Sequence, residues 1–123
     1  MLYDALVAPD PAEWLETDEA ERLEAILRYH KKAGEAFDGL RMHAIVHLAV
    51  ETQLAEGHPV AVRTLARLLE QGLDRHDALH AIGAAVAEQI FGAVKGQPFD
   101  AAKYEHALNA LSASSWRNSA KDV

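Results

Sequence analysis

The chain has 123 residues, half of them apolar, with no cysteine and a formal net charge of −7. That length suits a single domain. The missing cysteines exclude disulfides and thiolate metal sites, and the acidic balance argues against nucleic acid and anionic membrane surfaces as partners.

No apolar run approaches the roughly 20 residues that a membrane span needs. The N-terminus, Met1 to Val7, has neither a basic leader nor a long apolar stretch. A cytoplasmic protein is therefore expected. Ala and Leu dominate the composition, which favours helix over sheet.

The elements follow in chain order. Asp10-Pro11-Ala12-Glu13 is an N-cap, a first-turn proline and an acidic third residue, so a short helical turn is predicted near Pro11–Leu15. Thr17, followed by acidic residues, opens a longer helix whose apolar stripe is Leu23, Ile26, Leu27 and His30, closed by Lys31, Lys32 and Gly34. A second long helix is predicted from about Phe37 to Glu56, stopping at Gly57. A third starts at Pro59, with Val62, Leu65, Leu68 and Leu69 inward, and stops at Gly72. Asp74 caps a fourth helix that runs to about Lys95 and Gly96. Asp100 caps a fifth, carrying Tyr104, Leu108 and Leu111. Short connections imply mostly antiparallel neighbours. The expected fold is an all-α compact bundle of four to five helices. It forms one domain over residues 1–111, with a motif-bearing core at 37–111 and a flexible polar tail at 112–123.

The chemistry concentrates on two of these helices. At 100° per residue, His43 and Glu51 lie about 40° to either side of His47. Leu40, Ala44, Val50 and Leu54 share that face, so three polar residues sit mid-stripe on an apolar face. A lone carboxylate there would cost several kcal/mol in desolvation unless an ion partner, a hydrogen-bond network or a metal satisfies it. The fourth helix offers His76 and His80 one turn apart, with Gly83 and Ala87 leaving room for a neighbouring helix. Two histidines at this spacing present two nitrogens to one ion.

Four imidazoles and one carboxylate without sulfur suit zinc first, with iron(II), nickel or manganese as alternatives. His43 and Glu51 are separated by about 12 Å along the helix axis, too far to share one ion. The primary ligand set is therefore His47, Glu51, His76 and His80. His43 is an outer residue, an alternative ligand or part of a second metal site, and Glu51 a candidate general base. His30 reads as a core residue able to approach the site, His58 as a helix-start residue, and His106 as exposed. Glu88 reads as a solvated charge, and Trp14 and Trp116 as packing residues.

The run His43-Ala-Ile-Val-His47-Leu-Ala-Val-Glu51-Thr-Gln53, with Arg75-His76-Asp-Ala-Leu-His80, resembles a family of short bacterial helical proteins of unknown function. Members carry a His-x3-His-x3-Glu-x-Gln helix and an Arg-His-x-Ala-x-His helix. A Pro-Phe-Asp segment, here Pro98-Phe99-Asp100, and a Tyr/Leu-rich helix follow. The resemblance covers about Leu40 to Leu111, with Thr52 standing where relatives often have Asn. It implies that the polar residues are a family feature and brings no activity with it.

Two readings result. One is a metal-binding protein, with a metal-dependent hydrolase as its catalytic version. The other is a non-catalytic helical interaction module with a buried His/Glu network, pairing with itself or with a protein partner. No phosphate-binding glycine loop, Gly-x-Ser-x-Gly elbow or cysteine nucleophile is present.

Overall fold

The computed structural model describes residues 1–35 and 38–121, residues 120 and 121 by backbone alone. Among them are seven helices and no strand: α1 Pro11–Glu16, α2 Glu19–Lys32, α3 Leu40–Ala55, α4 Pro59–Glu70, α5 Arg75–Val94, α6 Ala101–Ala110 and α7 Ala113–Lys121. The all-α expectation holds, with more helices than foreseen.

Local chemistry sets the boundaries. The Asp10, Asp74 and Asp100 carboxylates accept from the backbone N–H three residues on, at 3.2, 2.8 and 3.0 Å, and so cap α1, α5 and α6. His58 does the same for α4, its Nδ1 accepting from the Ala61 N–H at 3.2 Å. Thr17 closes α1 instead of opening α2, its hydroxyl donating to the Glu13 carbonyl at 2.7 Å. The helix start expected at Phe37 lies outside the described residues, and α3 begins at Leu40.

The largest fully buried side chains include Trp14, Ile26, Leu68, Leu79, Ile82, Tyr104 and Leu108. On α4 the buried stripe is Val60, Ala61, Thr64 and Leu68. Val62 and Leu69, expected inward, are more than 40 % exposed. The apolar stripe on this helix is wide enough to fit two phases, and packing against α5 and α6 selects the other one.

The α3 helix packs most extensively on α5 and α2. Gly83 makes the α3–α5 approach close: a Cβ there would lie 2.9 Å from Val46 Cγ1. The absent side chain lets the two histidine-bearing helices come together, as the small residues on that shoulder implied.

The segment expected to be a polar tail carries α7. Ser112 and Ser115 cap its start reciprocally, each hydroxyl accepting from the other's backbone N–H at 3.0 and 3.1 Å. Gln71 Oε1 accepts from Ala113 N–H at 2.8 Å, and Arg117 donates to the Gly72 carbonyl at 3.1 Å, tying α7 to the α4–α5 turn. Residues 122 and 123 of the expected tail lie outside the described residues. No helix among the described residues is long and apolar enough to cross a membrane.

Candidate metal centre

Five histidines converge where α2, α3 and α5 meet. His30 comes from α2, His43 and His47 from α3, and His76 and His80 from α5. One ring nitrogen from each can be chosen so that all five lie within 4.8 Å of one another. Nitrogens bound to one ion at about 2.1 Å would be separated by roughly 3.0 Å in cis and 4.2 Å in trans. The cluster is thus a few tenths of an ångström looser than a loaded site.

His47 and His80 are hydrogen-bonded Nε2 to Nε2 at 3.1 Å, a separation that also matches the cis spacing. The His76 and His80 rings are 4.3 Å apart between centroids, and His43 lies 4.8 Å from each of His47 and His80. The structure brings His47, His76 and His80 of the primary set together with His43, the less certain member. It adds His30, whose apolar stripe had marked it for the core.

His30 is fully buried. Its Nδ1 donates to the Ile26 carbonyl at 2.9 Å, one helical turn back, which leaves the Nε2 lone pair facing the cluster. That Nε2 has no hydrogen-bond partner, and the nearest carboxylate oxygen, on Glu35, is 3.8 Å away. The buried Nε2 of His76 has no hydrogen-bond partner either. Buried polar nitrogens without partners are uncommon, and here they border three further imidazoles.

Electrostatics keep these rings available to a metal. Burial, reinforced by the neighbouring imidazoles, holds His47 down to about 2 and His80 down to about 4. His43 is lowered as well, by burial first and then by His30 and His76, with Glu35 opposing. At neutral pH these three rings are neutral, the form a metal requires.

Glu51 stands elsewhere. Its two oxygens accept from Arg75 at 2.7 and 2.8 Å, and Oε2 accepts a third bond from the Tyr3 hydroxyl at 2.5 Å. The carboxylate is 2 % exposed and is satisfied by this network, which meets the need that had suggested a metal ligand. Glu51 is outside the convergent group. The axial separation that counted against His43 counts instead against Glu51.

Glu51 does reach the site through Tyr3. The Tyr3 proton is committed to Glu51, so at 3.4 Å the phenol oxygen is placed to accept from His47 Nδ1–H. The chain Arg75–Glu51–Tyr3–His47 selects the tautomer that leaves His47 Nε2 unprotonated. Arg75 also donates to the Ala5 carbonyl at 3.1 Å and so fastens the N-terminal segment over the network. Tyr3 and Arg75 were not foreseen as site residues. Only the position of Arg75 beside His76 hinted at its role.

A cavity of about 300 Å³ reaches the cluster from outside, with His43, His47 and His80 in its wall. The remaining histidines do not join. His58 caps α4, and His106 is exposed, as is Glu88.

The family model for a domain of unknown function, DUF1841, matches residues 10–110. The chain belongs to the DUF1841 family. No curated protein and no solved structure matches it. The region matched by DUF1841 contains all five histidines, Glu51 and Arg75. Tyr3, which links Glu51 to His47, and Trp116, which lines the cavity, fall outside it.

Proposed function

We propose that this protein binds one divalent transition-metal ion through His30, His43, His47, His76 and His80, and that the ion activates water for hydrolysis. The observation that carries the reading is the convergence of five imidazole nitrogens within 4.8 Å. Two of them are buried and without hydrogen-bond partners, at His30 and His76.

The donor set bears on the metal. Zinc is usually satisfied by four donors in structural sites and three in catalytic ones. Five imidazoles suit an ion that accepts five or six ligands, so iron(II) or nickel(II) is favoured over zinc. All five donors are neutral, so the ion keeps its full double charge. Held there, such an ion would supply Lewis acidity for the activation of water, a role that does not depend on a carboxylate base beside it. Glu51, held by Arg75, acts as a positioning residue through Tyr3 and not as the base.

Access supports a reactive role over a structural one. A structural site is closed by its ligands, whereas here the cavity ends on His43, His47 and His80.

The test is titration of chelator-treated protein with cobalt(II) and nickel(II), followed by visible absorption. The expected result is a ligand-field spectrum that saturates at about one equivalent and disappears in His76→Ala/His80→Ala. A spectrum no different from that of the free ion in buffer would overturn the reading.

A further inference from the structure

The cavity has a composition and depth of its own. His47, Leu79 and Gly83 are buried and form its floor, while Met42, Ala84 and Phe91 are exposed and form its mouth. Val46 and Ile90 line the wall, and Trp116 on α7 completes it. No Lys, Arg, Asp or Glu contributes to this lining. Apart from Trp116, the polar side chains of the lining are the three histidines.

We propose that this cavity binds a small apolar carboxylate that takes the place of water on the metal, its hydrocarbon body lying against Leu79, Ile90, Phe91 and Trp116. The proposal rests on the metal-binding reading above and adds to it the class of ligand that the metal faces. Size and charge carry it. An apolar cavity of about 150 Å³ holds one benzene ring, so about 300 Å³ accommodates a body of roughly two fused rings or a branched chain of similar bulk. A divalent ion held by neutral imidazoles is the one charge such a ligand meets, and it favours a single negative head. A second charge would have to be buried against aliphatic and aromatic carbon without a partner.

The experiment uses the full chain loaded with cobalt(II), whose visible spectrum reports ligation. Naphthalene-2-carboxylate and acetate are titrated separately. Naphthalene-2-carboxylate is expected to perturb the spectrum and to bind at least about tenfold more tightly than acetate, because only its body reaches the apolar wall. Ala84→Trp fills the mouth from an exposed position, so the fold is retained. This variant should keep the cobalt spectrum and lose the tenfold preference, and Ala87→Phe should do the same from inside the cavity. Equal affinity for the two acids, or a preference unchanged in both variants, would overturn the proposal while leaving the metal site standing. Failure of cobalt to bind at all would instead overturn the metal reading itself.

Discussion

Arg75 holds Glu51 by two parallel N–H···O bonds, at 2.7 and 2.8 Å, with the pair almost wholly removed from water. Removing one partner of such a pair leaves an uncompensated buried charge, at a cost of about 3–5 kcal/mol. Arg75→Met should therefore lower the unfolding free energy by about that amount. The double variant Glu51→Leu/Arg75→Met should lose much less than the sum of the two single variants. Urea denaturation of the four proteins measures the coupling, and additive losses would show that the pair is not a unit.

Tyr3 connects that pair to His47, donating to Glu51 at 2.5 Å and standing 3.4 Å from His47 Nδ1. Tyr3→Phe keeps the ring contacts with Trp14 and Tyr29 and removes the oxygen alone. Stability should drop by about 1–3 kcal/mol. Metal affinity should fall about 10–100-fold, as it does when a ligating histidine loses its outer partner. Competition against a chelator measures this. An affinity equal to that of the wild type would remove Tyr3 from the site.

The helices were legible because their signals are local. Asp10, Asp74 and Asp100 announce helix starts within a few residues, and Gly57 and Gly72 lie just beyond helix ends. The paired histidines of α3 and α5 were legible for the same reason, through one-turn spacing on apolar faces. What the sequence hid is tertiary. Glu51 demanded a partner, but nothing local says that Arg75, 24 residues away, supplies it rather than a metal. His30 on an apolar stripe looks the same in sequence whether its Nε2 meets core carbon or four other imidazoles. Tyr3 lies 44 residues from His47, and only the folded chain closes that distance. In the polar C-terminal segment, serines that resemble linker composition also cap a helix, Ser112 and Ser115 at the start of α7.

The depressed histidines set a pH dependence for the metal-free protein. His47 and His80 are held near 2 and 4 in the fold, against 6.5 for the free side chain. Below about 6.5 the unfolded chain takes up protons that the folded chain refuses, so stability falls as pH falls. The loss begins below 6.5 and continues through the folded values. It should reach up to about 2 kcal/mol per residue at pH 5. Urea midpoints of chelator-treated protein at pH 7 and pH 5 test this, with the lower midpoint expected at pH 5. A flat or rising midpoint would show the rings to be freely protonated.

His30 separates a core role from a ligand role. His30→Phe fills the buried volume without offering a nitrogen to the cluster. The fold should persist, and metal affinity should fall at least about tenfold if one of five donors is lost. Calorimetric titration with nickel(II) gives the answer. Unchanged affinity alongside an intact helical spectrum would return His30 to the core.

The central claim is that five imidazoles hold one ion, and metal analysis of untagged protein, purified without chelator, tests it most directly. The account predicts about one transition-metal ion per chain, with iron or nickel exceeding zinc, and its loss in His76→Ala/His80→Ala. Less than about 0.2 ion per chain in protein with an intact helical spectrum, before and after incubation with iron(II), nickel(II) and zinc(II), would contradict it.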